Sequence, residues 1–261
     1  EIILDEAGDV EHTYFQIPEL RGFEAFCVGR PVEDMPALTN RICGVCPEAH
    51  HMAAAKAADA VYGVTPPRTG RMLRELLYNA FYVTDHATHF YVLSGPDLIM
   101  GPDAPKAERN ILGVVKKVGV EVGKKVIDAR SAGHRVIEII GGRRIHPCTG
   151  IPGGMTKSIS DEERDEIREL ADYMVEFGSF SLELFESMLA EESVEEMVKG
   201  DLYRHETYYA GLVDENGKVT YYDGKIRVVA PDGEPAGEYE PRDYRDWIAE
   251  KVEPWTFLKF P

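Results

Sequence analysis

The chain has few cysteines, no long apolar run and a deficit of positive charge. Its 261 residues include only four cysteines, too few for a disulfide framework in a chain of this length, so we expect a reducing, cytoplasmic compartment. No apolar run approaches the ~18 residues of a membrane span, so we expect no transmembrane helix. There are 46 acidic and 29 basic residues, giving a formal net charge of −17. This field repels phosphate backbones and disfavours nucleic-acid binding.

Several common catalytic signatures are also missing from the sequence. It contains no Walker A run, no G-x-G-x-x-G fingerprint and no G-x-S-x-G elbow. This argues against a P-loop nucleotidase, a dinucleotide-binding domain and an α/β-hydrolase.

Hydrophobic periodicity predicts an α+β fold that is mainly helical, a long-helix bundle with small antiparallel hairpin and meander elements. We expect a β-hairpin over residues 1–18 and short strands in the last part of the chain, over 208–213, 218–222 and 225–229. Predicted helices cover 47–62, 68–93, 106–140, 160–177, a further stretch to 189, and 194–198. The composition changes near Gly200, so we divide the chain into residues 1–200 and 201–261.

Both ends of the chain have sequences that are typical of the middle of a longer polypeptide. Ile2 to Leu4 open within a strand pattern, and Trp255 to Pro261 end on large apolar groups. An exposed aromatic terminus would be an adhesive patch. We therefore expect a fragment rather than a natural end docked on the core.

The strongest local signal is R-I-C-G-V-C-P-E-A-H-H, the run from Arg41 to His51. The thiolates of Cys43 and Cys46 can converge on one metal, and His50 lies about one helical turn beyond the second. Spacing alone leaves three possibilities: half of a zinc site completed by His50 and His51, a redox dithiol, or two buried thiols. No βαβ pattern precedes the pair, which disfavours the dithiol.

Other side chains could carry chemistry but have ordinary structural explanations. His86 and His89 share a helix face and could bind a metal, although hydrogen-bonded core or interface histidines are commoner. Glu24 lies in an apolar stretch, where a buried carboxylate needs a partner and a salt bridge to an arginine would suffice. His146 and Cys148 lie in a Gly- and Pro-rich loop, where packing is the simpler role.

Taken in order, four motifs make the chain resemble the large subunit of nickel–iron hydrogenases. They are R-G-F-E at 21–24, R-x-C-G-x-C-x-x-x-H at 41–50, H-x-x-H-F-Y at 86–91, and the His-Pro loop at 146–154. The resemblance covers nearly the whole chain and is weakest after residue 200. Within the family, the chain is most similar to the cytoplasmic, methyl-viologen-reducing or heterodisulfide-reductase-linked type of anaerobic microbes.

The resemblance implies a metal centre and the residues that hold it. In the family, nickel and iron are held by four cysteines, two early and two late, and the iron carries carbonyl and cyanide ligands. Cys43 then matches the early terminal nickel ligand and Cys46 the early cysteine that bridges nickel and iron. His50 matches the histidine that hydrogen-bonds the bridging sulfur. Glu24 matches the carboxylate of the magnesium site.

The chain also departs from the family pattern. The late D-P-C-x-x-C motif, the R-x-E-G-H segment and the C-terminal histidine of the magnesium site are absent. We therefore expect roughly the first two thirds of the subunit, inactive by itself. In the complete enzyme the resemblance implies reversible oxidation of dihydrogen, with electrons passed to the iron–sulfur small subunit of hydrogenase and further electron-transfer subunits.

Two alternatives compete with this interpretation. The first is a structural zinc or interaction module in which Cys43, Cys46, His50 and His51 bind one ion. The second is a metal-free relative of these subunits in respiratory complex I. Such relatives generally lack the paired cysteines, so Cys43 and Cys46 argue against the second alternative.

Overall fold

The computed structural model describes residues 1–18, 22–101, 103–190, 192–201 and 204–260. Arg21, the first residue of the R-G-F-E motif, lies outside them. The chain divides into two units, one of Glu1–Val28 with Glu206–Pro261 and the other of Gly29–His205. The N-terminal hairpin therefore groups with the C-terminal strands, and our division at residue 200 stays a prediction.

Helices and short strands follow one another in a mainly helical order. The helices are α1 (Phe23–Cys27), α2 (Met35–Thr39), α3 (Pro47–Tyr62), α4 (Arg68–Thr88), α5 (Gly95–Met100), α6 (Ile111–Val118), α7 (Val120–Gly141), α8 (Asp161–Leu189) and α9 (Glu192–Lys199). The strands are β1 (Ile2–Leu4), β2 (Val10–Thr13), β3 (Gly150–Ile151), β4 (Gly154–Met155), β5 (Tyr209–Val213), β6 (Lys225–Val229), β7 (Pro235–Tyr239), β8 (Lys251–Glu253) and β9 (Thr256–Phe260). The predicted α+β, mainly helical class is confirmed.

In the unit of Gly29–His205, the long helices α4, α7 and α8 pack together as a bundle. Its apolar core includes Ala87, Ala129 and Phe177, one from each helix. Tyr91 is buried beside them, and its hydroxyl lies 2.9 Å from the Ser181 hydroxyl. A polar tip is thus satisfied inside an otherwise apolar interface.

The helix boundaries differ from the sequence prediction near two glycines, one of which ends a helix while the other lies within one. The helix predicted over 106–140 is broken at Gly119, whose φ of 96° separates α6 from α7. The helices predicted on either side of residue 177 form one helix, α8, which continues through Gly178. The predicted cap at Ser160 is confirmed, because its hydroxyl accepts from the Glu163 N–H and the Glu163 carboxylate accepts from the Ser160 N–H.

The helix predicted over 68–93 is α-helical only to Thr88, and a π-helical segment, His89–Ser94, leads from it into α5. In the described parts of the chain, no helix is both long and apolar enough to cross a membrane.

The unit of Glu1–Val28 and Glu206–Pro261 contains small antiparallel sheets. β1 pairs with β2, β8 with β9, and β5, β6 and β7 form a three-stranded meander. The Phe15 N–H donates to the Trp255 carbonyl at 2.9 Å, which ties the N-terminal hairpin to the C-terminal strands. The strand predicted over 218–222 is wrong: Val219 makes one isolated bridge to Val213, and β7 is the third strand instead.

Gly133 tests the packing of α7 on α4. A Cβ at Gly133 would lie 2.3 Å from the Thr84 Cγ2 and 3.3 Å from the Ala80 carbonyl oxygen. We expect Gly133→Ala to lower the free energy of unfolding by about 1–3 kcal/mol through overpacking. Urea unfolding followed by circular dichroism measures the change.

Gly178 on α8 provides the matched control, because a Cβ there meets nothing within 4 Å. Gly178→Ala should raise the free energy of unfolding by about 0.5–1 kcal/mol. Equal effects of the two substitutions would contradict close contact between α4 and α7.

Candidate metal centre

The paired cysteines lie on either side of a bend between two helical segments. A 3₁₀ turn, Asn40–Ile42, ends at Cys43, whose backbone is extended. Cys46 precedes α3, and Pro47 occupies the first helical position, where its missing N–H costs no hydrogen bond. The Cys46 N–H donates to the Cys43 Sγ at 3.3 Å. The bend thus turns both cysteines toward one point.

The structure brings together the three side chains that the sequence singled out. The sulfurs of Cys43 and Cys46 and a ring nitrogen of His50 all lie within 4.8 Å of one another, and all three residues are half-buried. Within the described ranges, no other group of three or more His, Cys, Asp or Glu side chains comes this close. The individual metal-binding roles of these residues remain predictions.

The two thiols have unequal acidities. Burial raises the pKa of the Cys43 thiol, but hydrogen bonds from the Cys46 thiol and from the N–H groups of Cys46 and Val45 outweigh burial and lower it overall. Burial, the hydrogen bond with Cys43 and nearby negative charge raise the pKa of Cys46 to about 12. Cys43 is therefore the more acidic thiol of the pair.

Two carboxyl groups that sequence reasoning missed, those of Glu48 and Asp85, act electrostatically on the Cys46 thiol. Glu48, in the first turn of α3, is 2% exposed. Burial raises its pKa to about 7 against the opposing effect of its own backbone N–H, with a further contribution from Asp85. The Glu48 Oε1 is buried and has no hydrogen-bond partner among the described residues. Position alone could have drawn attention to them, since Glu48 follows Cys46 by two residues and Asp85 precedes His86.

A buried ion pair joins α3 to α4. Arg74 is fully buried, and its Nη1 contacts the Asp59 Oδ2 at 2.6 Å. Its guanidinium also donates to the carbonyls of Ile151 at 2.7 Å and Gly154 at 3.1 Å. The Asp59 Oδ1 accepts from the Gly153 N–H at 2.7 Å. Two residues on α3 and α4 therefore hold the turn between β3 and β4.

A second set of contacts, made by hydrogen bonds, joins the turn before Cys43 to the His-Pro loop. The Asn40 side-chain amide donates to the Pro147 carbonyl at 2.8 Å, and the His146 Nδ1 lies 3.0 Å from the Asn40 carbonyl. His146 has a φ of 58°, in the left-handed region that residues other than glycine seldom adopt. Cys148, in the same loop, is exposed. Neither His146 nor Cys148 joins the thiol cluster.

His51 is buried away from the cysteines and has no ring nitrogen to offer a metal. Its Nδ1–H donates to the Pro36 carbonyl at 2.8 Å, and its Nε2 accepts from the Gly150 N–H at 2.9 Å. Burial, with the nearby Arg74 charge, lowers the pKa of His51 against the opposing Pro36 carbonyl. The alternative that used His51 as a fourth zinc ligand is therefore wrong, because both nitrogens are already bonded.

The remaining histidine candidates lie outside the cluster. His86 is exposed, and its Nδ1 donates to the Tyr82 carbonyl at 2.8 Å, one helical turn earlier. His89 is also exposed, with its Nδ1 3.3 Å from the Ser94 hydroxyl. No third donor joins these two histidines in the described chain.

Glu24 lies on the short helix α1 and is exposed. It belongs to the unit of Glu1–Val28 and Glu206–Pro261, whereas the cysteines belong to the other unit. Its magnesium role remains a prediction.

Comparison with known proteins shows which proteins this chain is similar to. A family model described as nickel-dependent hydrogenase matches residues 21–119, which include both cysteines and His50. A solved structure of an NAD⁺-reducing [NiFe]-hydrogenase in the H₂-reduced state is similar, with a TM-score of 0.89 and 35% identity over 99% of this chain and 57% of that one.

Curated relatives agree with this class. The chain is 45% identical over its whole length to an iron-sulfur subunit of the F420-non-reducing hydrogenase from Archaeoglobus profundus, covering 54% of that relative. It is 44% identical over its whole length to a vhu subunit of the F420-non-reducing hydrogenase from Methanocaldococcus jannaschii, covering 61% of it. The chain thus spans a little over half the length of these relatives. These similarities agree with the resemblance to nickel-dependent hydrogenases that the motifs predicted.

The Arg74–Asp59 pair can be tested against a surface pair on the same helix. We expect Asp59→Asn to lower the free energy of unfolding by about 3–5 kcal/mol, since it removes a negatively charged partner from a buried guanidinium. Denaturant unfolding measures the loss. Glu75→Gln is the control, because the Arg71–Glu75 pair is largely exposed and should contribute less than about 1 kcal/mol. Similar small losses in both variants would contradict a buried pair.

Proposed function

We propose that this chain supplies the first half of the nickel–iron centre of a hydrogenase large subunit, part of an enzyme that reversibly oxidises dihydrogen. The observation that carries the proposal is the cluster of Cys43, Cys46 and His50, whose donor atoms lie within 4.8 Å of one another. The cluster lies inside the segment matched by the family model.

The donor set fits the proposed metals. Thiolates are soft ligands of the kind that nickel and low-valent iron accept in proteins. We assign Cys43 as a terminal nickel ligand and Cys46 as the bridge between nickel and iron. His50 would hydrogen-bond the bridging sulfur, a contact that tunes a metal from outside its ligand set. Carbonyl and cyanide ligands on the iron belong to the same proposal.

Two thiolates are half of the four that the proposed centre needs. The chain spans 54% and 61% of its two curated relatives. We therefore propose that the other two thiolates come from sequence outside these 261 residues, and that this chain alone is inactive.

When bound, such a centre supplies the Lewis acidity for heterolytic cleavage of dihydrogen. The chain's own residues orient the sulfurs and provide places for the proton. The Cys46 N–H holds the Cys43 Sγ in position. The carboxyl groups of Glu48 and Asp85, which act electrostatically on Cys46, offer acceptors beside the cysteine pair.

Further parts of the proposal concern partners and a second metal. Four cysteines are too few for iron–sulfur clusters in addition to the centre, so electrons would pass to the iron–sulfur small subunit of the enzyme and to further electron-transfer subunits. Glu24 would contribute a hard carboxylate ligand to magnesium in the complete enzyme. The sparse cysteines support a cytoplasmic location.

The proposal is tested by single substitutions in the complete hydrogenase that contains this chain. Cys43→Ser and Cys46→Ser should each lower hydrogen-dependent viologen reduction by more than about 100-fold, because a thiolate ligand is lost, while His50→Gln should lower it by about 10–100-fold. Nickel content of the purified enzyme is measured alongside activity.

Cys148→Ser is the matched control, since Cys148 is an exposed cysteine apart from the cluster. It should retain nickel and activity. Retention of both by Cys43→Ser and Cys46→Ser would show that the pair does not hold the centre.

A further inference from the structure

The His51 ring joins three segments that are distant in sequence. It lies on α3 and is 0% exposed. One nitrogen contacts the Pro36 carbonyl in α2, fifteen residues earlier, and the other accepts from the Gly150 N–H in β3, ninety-nine residues later. Since a carbonyl can only accept and an N–H can only donate, these partners fix a single neutral tautomer.

These bonds connect the two sides of the cysteine bend. Pro36 lies in α2, which leads through the 3₁₀ turn Asn40–Ile42 to Cys43. Cys46 and His50 belong to the start of α3, and His51 follows His50 directly. The bond from His51 to Pro36 therefore spans the bend and sets the distance between its two sides.

The packing around the ring leaves little freedom to adjust. A Cβ at Gly150 would lie 2.8 Å from the His51 Nε2 and 3.1 Å from the Met52 Cε. Glycine is therefore required for β3 to approach the ring this closely. The neighbouring Asn40–Pro147 bond holds the same loop at a second point.

We propose that His51 is a positioning residue for the cysteine pair, which sets the separation of Cys43 and Cys46 from each other and from His50. The use of this geometry for nickel and iron rests on the proposed function, but the geometry itself can be tested without those metals. Losing the ring's bonds should loosen the bend and weaken any ligand that needs both sulfurs at once.

The test compares His51→Leu, which removes both hydrogen bonds, with His51→Gln, whose amide keeps a donor and an acceptor. Two probes are titrated anaerobically into the reduced chain. Co²⁺ reports the donor cluster through thiolate charge-transfer absorbance, and phenylarsine oxide reports the separation of the two thiols because it bridges close sulfurs without a metal.

We expect His51→Leu to weaken the affinity for both probes by about tenfold or more, the range for residues that orient metal ligands. His51→Gln should stay within about threefold of the unsubstituted chain. Gly133→Ala, which disturbs the α4–α7 contact instead, controls for stability and should bind both probes normally despite a lowered Tm.

Unchanged affinities in His51→Leu would overturn the positioning role. It would also be overturned if Gly133→Ala weakened both probes as much, because the loss would then follow general stability. Failure of the unsubstituted chain to bind Co²⁺ would count against the donor set in the proposed function, and the phenylarsine oxide affinities alone would then decide the role of His51.

Discussion

The fully buried guanidinium of Arg74 constrains the arrangement of the helical unit. Removing a cation from water costs several kcal/mol unless its donors are matched by acceptors. Here Asp59 supplies a carboxylate, and the carbonyls of Ile151 and Gly154 accept further bonds. These contacts can form together only when α3, α4 and the β3–β4 turn have one relative arrangement.

That arrangement is also the one on which the cysteine bend depends. The turn fixed by Arg74 lies next to Gly150, which bonds to His51, and the loop before it carries Pro147, which bonds to Asn40. The sulfurs of Cys43 and Cys46 lie between α2 and α3, which buried polar contacts hold together, so the chain itself keeps the two sulfurs close. Such preorganisation is what a metal centre requires of its supporting residues. The 146–154 loop lies outside the segment matched by the family model. It nevertheless provides hydrogen-bond partners for four supporting side chains, those of Asn40, His51, Asp59 and Arg74.

The parts of this structure that sequence could predict are those specified locally. The C-x-x-C spacing and a histidine one helical turn later bring Cys43, Cys46 and His50 together because neighbouring residues on a bend and a helix cannot separate far. The Ser160 cap is likewise a short-range pattern. The prediction of His51 as a metal ligand is wrong for the opposite reason: its partner Gly150 is ninety-nine residues away, and no local sequence pattern indicates that bond. The same holds for Arg74 and Asp59. It also holds for α8, which continues through Gly178 between the buried side chains of Phe177 and Met188.

If Cys43 and Cys46 are preformed donors supported by this buried network, both sulfurs should bind the same metal ion. X-ray absorption at the nickel edge, on the reduced chain loaded with one equivalent of Ni²⁺, measures this. We expect two sulfur scatterers per nickel, reduced to one in Cys43→Ser and in Cys46→Ser and unchanged in Cys148→Ser. A nickel shell made only of nitrogen and oxygen, or one whose sulfur content is unaffected by either substitution, would contradict this expectation.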